Sequence, residues 1–140
     1  MSKSKLVMDR LAKLFEQGLV SYKDLNSEIL NILRSKKDEI IAVSYSENLK
    51  PEISKIHKKF GVTKHVKMKS SYKFCVIATG EYDIYVAEPR ASEWDIAAGH
   101  AILEHAGGHM TTHEEKKIFY GKDNYKNLSI LAKRANNLEK

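Results

Sequence analysis

The stretch that decides the fold is Glu93-Trp94-Asp95-Ile96-Ala97-Ala98-Gly99-His100-Ala101-Ile102-Leu103-Glu104-His105-Ala106-Gly107-Gly108. It predicts a helix over residues 95–106, because its small side chains allow close packing against a sheet and the glycine pair ends it. Asp95 lies in the first turn, where a carboxylate complements the helix dipole and caps free backbone N–H groups. Trp94 is interpreted as a packing anchor beside it. On physical grounds alone, Asp95 is therefore a helix cap.

On both sides of this helix, short strands and helices alternate. A helix is predicted over residues 51–60, with Pro51 in its first turn and Gly61 as its end. Residues 70–78 contain a short continuous apolar run, which fits either a buried helix or a strand. This alternation is typical of an α/β fold in which at least part of the sheet is parallel. Strands are predicted at residues 40–45, 65–68, 82–86, 109–112, 118–120 and 128–133.

Residues 1–39 have a different pattern and are predicted to form a helical hairpin of unrelated character, separate from a second unit at residues 40–140. Apolar residues recur there at helical spacing, which favours helix packing or a seam with a partner helix. Gly18 suits the end of the first helix, and Ser21 with Asp24 resembles a capping box that opens the second.

The composition is that of one ordinary domain, with 140 residues of which 42% are hydrophobic. The single cysteine, Cys75, excludes an internal disulfide. No apolar run is long enough to cross a bilayer, and the first residues lack the apolar core of a secretory signal. We therefore expect a cytoplasmic protein without a membrane span.

The net charge of +6 is unevenly placed, because residues 50–73 hold eight lysines against Glu52 alone. Such a cluster either attracts a small polyanion or forms a solvated surface, and the sequence leaves both open. No aromatic residues alternate regularly with these lysines as a platform for stacked bases, so nucleic acid is not the expected partner.

A histidine series near the end of the decisive helix superficially suggests a metal site. The glycine pair at 107–108 breaks the helix within the series, so its members do not share one helical face. We interpret them as packing or surface histidines. The series consists of His100, His105, His109 and His113.

Residues 93–108 closely resemble the second signature of the inositol monophosphatase superfamily, Trp-Asp-x-Ala-Ala-Gly followed by Ala-Gly-Gly. Residues 41–46 and 69–85 resemble the corresponding stretches of the 3'(2'),5'-bisphosphate nucleotidases of the CysQ type. The resemblance covers residues 40–134. It implies the C-terminal half of that family's layered α/β fold, preceded here by the helical hairpin, and it implies a helix over residues 70–78.

The resemblance also implies a magnesium-dependent hydrolase of phosphate monoesters. Asp95 is then a metal ligand that contacts the catalytic Mg2+ ions and the scissile phosphate. Ser71, Lys73 and Glu93 are expected in the same neighbourhood and are predicted, with Asp95, to bind the substrate. The implied substrate is a small phosphorylated nucleotide or a sugar phosphate.

The chain departs from the family pattern at the other metal ligands. The family's Asp-Pro-(Ile/Leu)-Asp-Gly-Thr motif is missing, since the sequence holds no Asp-Gly pair, and Lys69 stands where the family has glycine. Because one carboxylate does not hold Mg2+ tightly in water, we expect the chain alone to be inactive.

Two function classes therefore remain. In the first, this is a CysQ-like nucleotidase chain completed by a separate N-terminal half or by a homo-oligomer. In the second, it is a catalytically inert, truncated remnant that serves as an anion-binding or interaction module. Half of a layered fold leaves an apolar face uncovered, so either the hairpin folds over that face or the chain self-associates.

Overall fold

The computed structural model describes residues 9–10, 12–14, 16–19 and 38–138. Most of the predicted hairpin, including the capping box at Ser21 and Asp24, lies outside the described residues. Residues 9–10, 12–14 and 16 are helical, and Gly18 has a φ of +70° after them, as expected for a glycine at a helix end. The backbone N–H of Leu19 donates to the carbonyl oxygen of Leu14 there, at 2.9 Å.

A five-stranded mixed sheet forms the centre of the fold. Its strands lie in the spatial order β2-β1-β3-β5-β4. The first three strands along the chain are mutually parallel, and β5 pairs antiparallel with both β3 and β4. The α/β class with a partly parallel sheet is therefore confirmed. The strands are β1 Ile40–Ser44, β2 Val62–Lys67, β3 Ile84–Ala87, β4 His109–Thr111 and β5 Ile130–Lys133.

Three helices connect these strands and cover both faces of the sheet. They are α1 Pro51–Lys59, α2 Tyr72–Ala78 and α3 Glu93–His105. The ambiguous segment 70–78 is thus a helix, as the resemblance implies. A short 3-10 helix, Asp123–Tyr125, precedes β5.

The core has two parts, one on each face of the sheet. On β3, Ile84 and Val86 point towards α1, whereas Tyr85 and Ala87 point towards α2 and α3. Successive strand residues face opposite sides, so a central strand covered on both faces is apolar throughout. This explains why every residue of β3 is buried. Because Tyr85 and Ala87 belong to one core cluster with residues of both α2 and α3, these two helices lie in one layer.

The sequence predicts a strand at residues 118–120, and this prediction is wrong. The structure shows a single bridge between Thr111 and Lys117, after which the chain leaves the sheet. Ile118 is buried in the core, but Phe119 is 66% exposed. The cause lies just beyond, where the backbone N–H groups of residues 121 and 122 donate to the carboxylate of Glu93 instead of to a neighbouring strand.

Within the described part of the chain, no helix is both long enough and apolar enough to span a bilayer.

Candidate functional site

A cavity of about 710 Å³ opens at the carboxyl ends of the three parallel strands. In open α/β sheets this edge is the usual place for a ligand, because the loops and helix N-termini that follow the strands converge there. Its walls carry mainly cationic and hydroxyl side chains. The lining residues are Tyr45, Ser46, Lys67, Lys69, Ser71, Lys73, Tyr85, Arg90, Ala91, Trp94 and Asp95.

The fold brings three of the four predicted site residues into this cavity. Ser71 and Lys73 stand at the start of α2, and Asp95 stands in the first turn of α3. Helices α2 and α3 pack against each other on the same face of the sheet, so their first turns meet at the same edge. Residues far apart in sequence therefore form one wall.

Asp95 has two roles in the geometry. Its Oδ2 accepts a hydrogen bond from the backbone N–H of Ser92 at 2.9 Å, which makes it the third residue of a capping box. The predicted helix cap is thus present. The residue is also exposed and lines the cavity, so the same carboxylate faces the space where a ligand would lie.

Lys73 is held unusually firmly for a lysine, since it is only 8% exposed. Its Nζ donates to the carbonyl oxygens of Lys69 and Ser70, at 3.3 and 3.2 Å, and lies 4.8 Å from the centre of the Tyr85 ring. Burial, together with the charge of Arg90, lowers the pKa of Lys73 from its ordinary value. The cavity therefore contains an ammonium group whose position is fixed by the backbone.

Arg90 follows β3 and is oriented by a chain of contacts that runs through Tyr45. Its guanidinium carbon lies 3.5 Å from the centre of the Tyr45 ring, a stacked cation-π arrangement. The Tyr45 hydroxyl donates to Glu88 at 2.6 Å, and Lys50 forms an ion pair with the same carboxylate at 2.9 Å. Burial would raise the pKa of Glu88, but the hydrogen bonds from Tyr45 and Lys50 outweigh it and lower the pKa.

Glu93 does not line the cavity. Its carboxylate accepts the backbone N–H groups of Gly121 and Lys122, at 2.9 and 3.0 Å, and pairs with Lys122 Nζ at 2.7 Å. The Lys122 contact and the Gly121 N–H lower the pKa of Glu93 to about 2. The structure therefore gives Glu93 a positioning role, in which it anchors the loop after residue 118 to the first turn of α3.

Trp94 is predicted to be a packing anchor beside Asp95, but most of its side chain is exposed. Its side chain is 69% exposed, and its ring centre lies 6.2 Å from that of Tyr125. Sequence reasoning also missed Tyr45, Lys67 and Arg90 as wall residues. The signal that marks them is their place just after a parallel strand or at its last residue, which becomes usable once the strand order is known.

The histidine series makes other contacts. His100 Nδ1 lies 2.7 Å from the Tyr120 hydroxyl, and Glu104 approaches both His100 Nε2, at 3.4 Å, and His109 Nδ1, at 3.8 Å. His105 bonds to its own helix at the Ala101 carbonyl. These contacts are those expected of surface and packing histidines.

The donor set of the cavity does not by itself fit a magnesium ion. Mg2+ requires near-octahedral oxygen ligands and uses carboxylates to hold it, whereas the cavity wall offers Asp95 and otherwise cations and hydroxyl groups. No cluster of three or more histidine, cysteine or acidic side chains with metal-binding geometry occurs among the residues that the structure describes.

Comparison with known proteins identifies the family to which this fold belongs. The profile of the inositol monophosphatase family matches residues 17–140. The chain belongs to the inositol monophosphatase family. The match begins inside the segment predicted as a separate helical hairpin, and the boundary at residue 40 stays a prediction.

Individual relatives within the inositol monophosphatase family point to its CysQ members. The 3'(2'),5'-bisphosphate nucleotidase CysQ of Salmonella typhimurium is 31% identical over 88 residues, which are 63% of this chain and 35% of that protein. The crystal structure of CysQ from Bacteroides thetaiotaomicron superposes with a TM-score of 0.58 at 34% identity, over 71% of this chain and 38% of that one. An uncharacterized protein of Rhizobium leguminosarum is 47% identical over 53 residues, 38% of this chain and 56% of that protein. The chain thus spans little more than a third of the length of these two CysQ proteins.

Proposed function

We propose that this chain binds a phosphate monoester of the 3',5'-bisphosphate nucleotide class in the cavity at the carboxyl ends of β1, β2 and β3, as part of a CysQ-like phosphatase. The observation that carries the proposal is the convergence of Asp95, Ser71, Lys73 and Arg90 on one cavity. The similarity to CysQ nucleotidases supports the choice of substrate class.

Each wall residue has a chemical role in this proposal. The guanidinium of Arg90 and the ammonium of Lys73 offset the charge of the phosphate, and a planar guanidinium binds two phosphate oxygens at once. The exposed hydroxyl of Ser71, next to Lys73, donates a hydrogen bond to a phosphate oxygen. Glu93 keeps the first turn of α3 in place and does not contact the ligand.

Turnover requires carboxylates from outside the described residues. The family resemblance implies a Mg2+-dependent reaction with Asp95 as one ligand, and Mg2+ chemistry would supply charge neutralisation and an activated water. Because Asp95 is the lone carboxylate in the cavity wall among the described residues, we propose that the remaining ligands come from another polypeptide.

The direct test is phosphate release from adenosine 3',5'-bisphosphate by the purified chain, with and without Mg2+. The expected result is binding without turnover above the level of an Asp95→Asn variant, because an incomplete ligand set does not activate water. Glu52→Gln is the matched control, since Glu52 is an exposed carboxylate at the start of α1 and does not line the cavity. Mg2+-dependent release that Asp95→Asn abolishes and Glu52→Gln preserves would instead place the full ligand set in this chain or its oligomer.

A second candidate function is an anion-binding module without catalysis. The excess of cations over carboxylates in the cavity favours it. The two functions separate when the chain is mixed with an N-terminal fragment of a CysQ protein that carries the Asp-Gly-Thr motif. Mg2+-dependent release in the mixture, abolished by Asp95→Asn, supports the phosphatase, whereas binding that never leads to release supports the module.

A further inference from the structure

The charge balance of the cavity is the reverse of that expected for a site centred on a metal. Among the described residues, its walls hold Lys67, Lys69, Lys73 and Arg90 against the one carboxylate of Asp95. A divalent cation would be repelled by this set, whereas a phosphate dianion would be attracted to it.

Most of these positive charges are available to a ligand. Lys67 lies within 3.9 Å of Glu47, at the limit of an ion pair. Among the residues that the structure describes, no carboxylate forms an ion pair with Lys69, Lys73 or Arg90. At least three cationic groups therefore face the cavity with their charge uncompensated by a direct partner.

Two of the three cations are also held in fixed positions. An ammonium group has three N–H donors, and two carbonyl oxygens take up two of those on Lys73, which leaves one for an anion. The guanidinium carbon of Arg90 lies 3.5 Å from the centre of the Tyr45 ring, which restricts the side chain. Among the described residues its N–H groups have no hydrogen-bond partner, so they are available to phosphate oxygens. Fixed donors bind an anion more tightly than mobile ones, because less side-chain entropy is lost on binding.

Lys69 adds a third positive charge to this arrangement. It is exposed, lines the cavity, and its carbonyl oxygen is one of the two that hold Lys73. Its long side chain occupies the position at which glycine would let a ligand approach the backbone directly. A ligand here therefore meets an ammonium group where the family has open space at the backbone.

We propose that the cavity binds its phosphate monoester without any divalent cation, with Lys69, Lys73 and Arg90 neutralising the phosphate. This inference rests on the proposed function for the nature of the ligand and adds that a metal is not needed for binding. It makes an unusual prediction for Asp95. In a metal-free site its carboxylate repels the phosphate, so Asp95→Asn does not weaken binding, whereas in a site centred on a metal the same change removes a ligand and weakens it.

The test is equilibrium binding to the full chain in excess EDTA and in excess MgCl2. Trp94 is the single tryptophan and lines the cavity, so its fluorescence reports binding, and calorimetry of the same titration provides an independent readout. The probes are adenosine 3',5'-bisphosphate and inorganic phosphate, which separate recognition of the ester from recognition of the free anion. Tighter binding of the bisphosphate than of phosphate is expected in both solutions.

The variants Lys69→Gln and Arg90→Gln should each weaken binding in EDTA by about tenfold, the effect of losing one charge-assisted hydrogen bond. Lys58→Gln is the matched control, because Lys58 is an exposed lysine of α1 that does not line the cavity. Equal weakening by Lys58→Gln would show a general charge effect and overturn the inference.

The outcomes in the two solutions separate the inference from the proposed function. Binding in EDTA that survives Asp95→Asn supports both. Binding only in MgCl2, or binding in EDTA that Asp95→Asn weakens, overturns the metal-free inference and leaves the proposed function intact. Binding in neither solution overturns both.

Discussion

His57 should make the fold sensitive to mild acid. It lies in the last turn of α1, where a helix dipole favours a positive charge, but its side chain is only 5% exposed. Its Nε2 has no hydrogen-bond partner among the described residues, and its ring centre lies 6.1 Å from that of His65. Burial, with a smaller contribution from His65, lowers the pKa of His57 from 6.5 to about 4.

The size and sign of the effect follow from proton linkage. Between pH 6.5 and about 4, the unfolded chain protonates His57 while the folded chain does not, so the free energy of unfolding falls as the pH is lowered. One pKa unit corresponds to about 1.4 kcal/mol. The full shift therefore lowers the free energy of unfolding by about 3 kcal/mol between pH 6.5 and pH 4. That is a large part of the stability of a small domain, which is about 5–15 kcal/mol.

The assay is urea denaturation followed by circular dichroism at a series of pH values from neutral to mildly acidic. His57→Leu should flatten the pH dependence, because it removes the titrating group and keeps an apolar side chain in the buried position. His105→Leu is the control, since His105 is exposed on α3 and should leave the slope unchanged. A wild-type stability that is flat across the window, or an identical slope in His57→Leu, would refute the reasoning.

Two further predictions concern packing and a buried ion pair. In Gly99→Ala the new Cβ would lie 2.4 Å from Cδ2 and 2.8 Å from Cβ of Phe74, so α2 and α3 must separate. Alanine also has the higher helix propensity, and we expect the free energy of unfolding to fall by about 2 kcal/mol in total; an unchanged urea midpoint would contradict this. In Arg134→Leu the carboxylate of Asp83 loses its partner in a fully buried ion pair, which should lower the free energy of unfolding by about 3–5 kcal/mol. Adding Asp83→Asn should restore part of this stability, because the amide oxygen still accepts the Ile41 N–H; a double variant less stable than the single one would contradict this account.

Local sequence signals predicted much of the fold because the helix ends that they mark are also helix ends in the folded chain. Pro51 begins α1, as predicted, and the predicted helix stop Gly61 has a φ of +69°. Helix α3 begins and ends within two residues of its expected bounds. Residues 70–78 were ambiguous for a physical reason, since an element buried on most sides loses the periodicity that separates a helix from a strand.

The error at residues 118–120 has a non-local cause. The chain there is apolar enough for a strand, but its path is set by Glu93, which lies far away in sequence. The same side chain was predicted, from the family resemblance, to lie near the substrate. In the structure its carboxylate is taken up by the backbone N–H groups of Gly121 and Lys122 and does not line the cavity. Residues of one helical turn point in different directions, so Glu93 and Asp95 have different surroundings.

The cavity itself was predictable only in part. Asp95, Ser71 and Lys73 came from the family resemblance, and the lysine cluster indicated an anion site as one of two alternatives. Arg90 and Tyr45 required the sheet order, because nothing in the sequence shows that the ends of β1 and β3 lie side by side. Of the lysine cluster, Lys67 at the end of β2 and the two lysines after it line the cavity, whereas Lys64 pairs with Glu39 at the surface.

Asp95 both caps α3 and lines the cavity, so the presence of the Trp-Asp-x-Ala-Ala-Gly signature has two explanations. Its Oδ2 caps α3 by accepting the Ser92 N–H, and the same carboxylate faces the cavity. Loss of a cap of this kind costs about 1 kcal/mol of stability, so folding alone favours a carboxylate or amide at this position whether or not a metal is ever bound. An intact Trp-Asp-x-Ala-Ala-Gly motif is therefore explained by the packing and capping of α3 and is not by itself evidence for catalysis. Evidence for catalysis has to come from the charges around it, and in this chain those charges are predominantly positive.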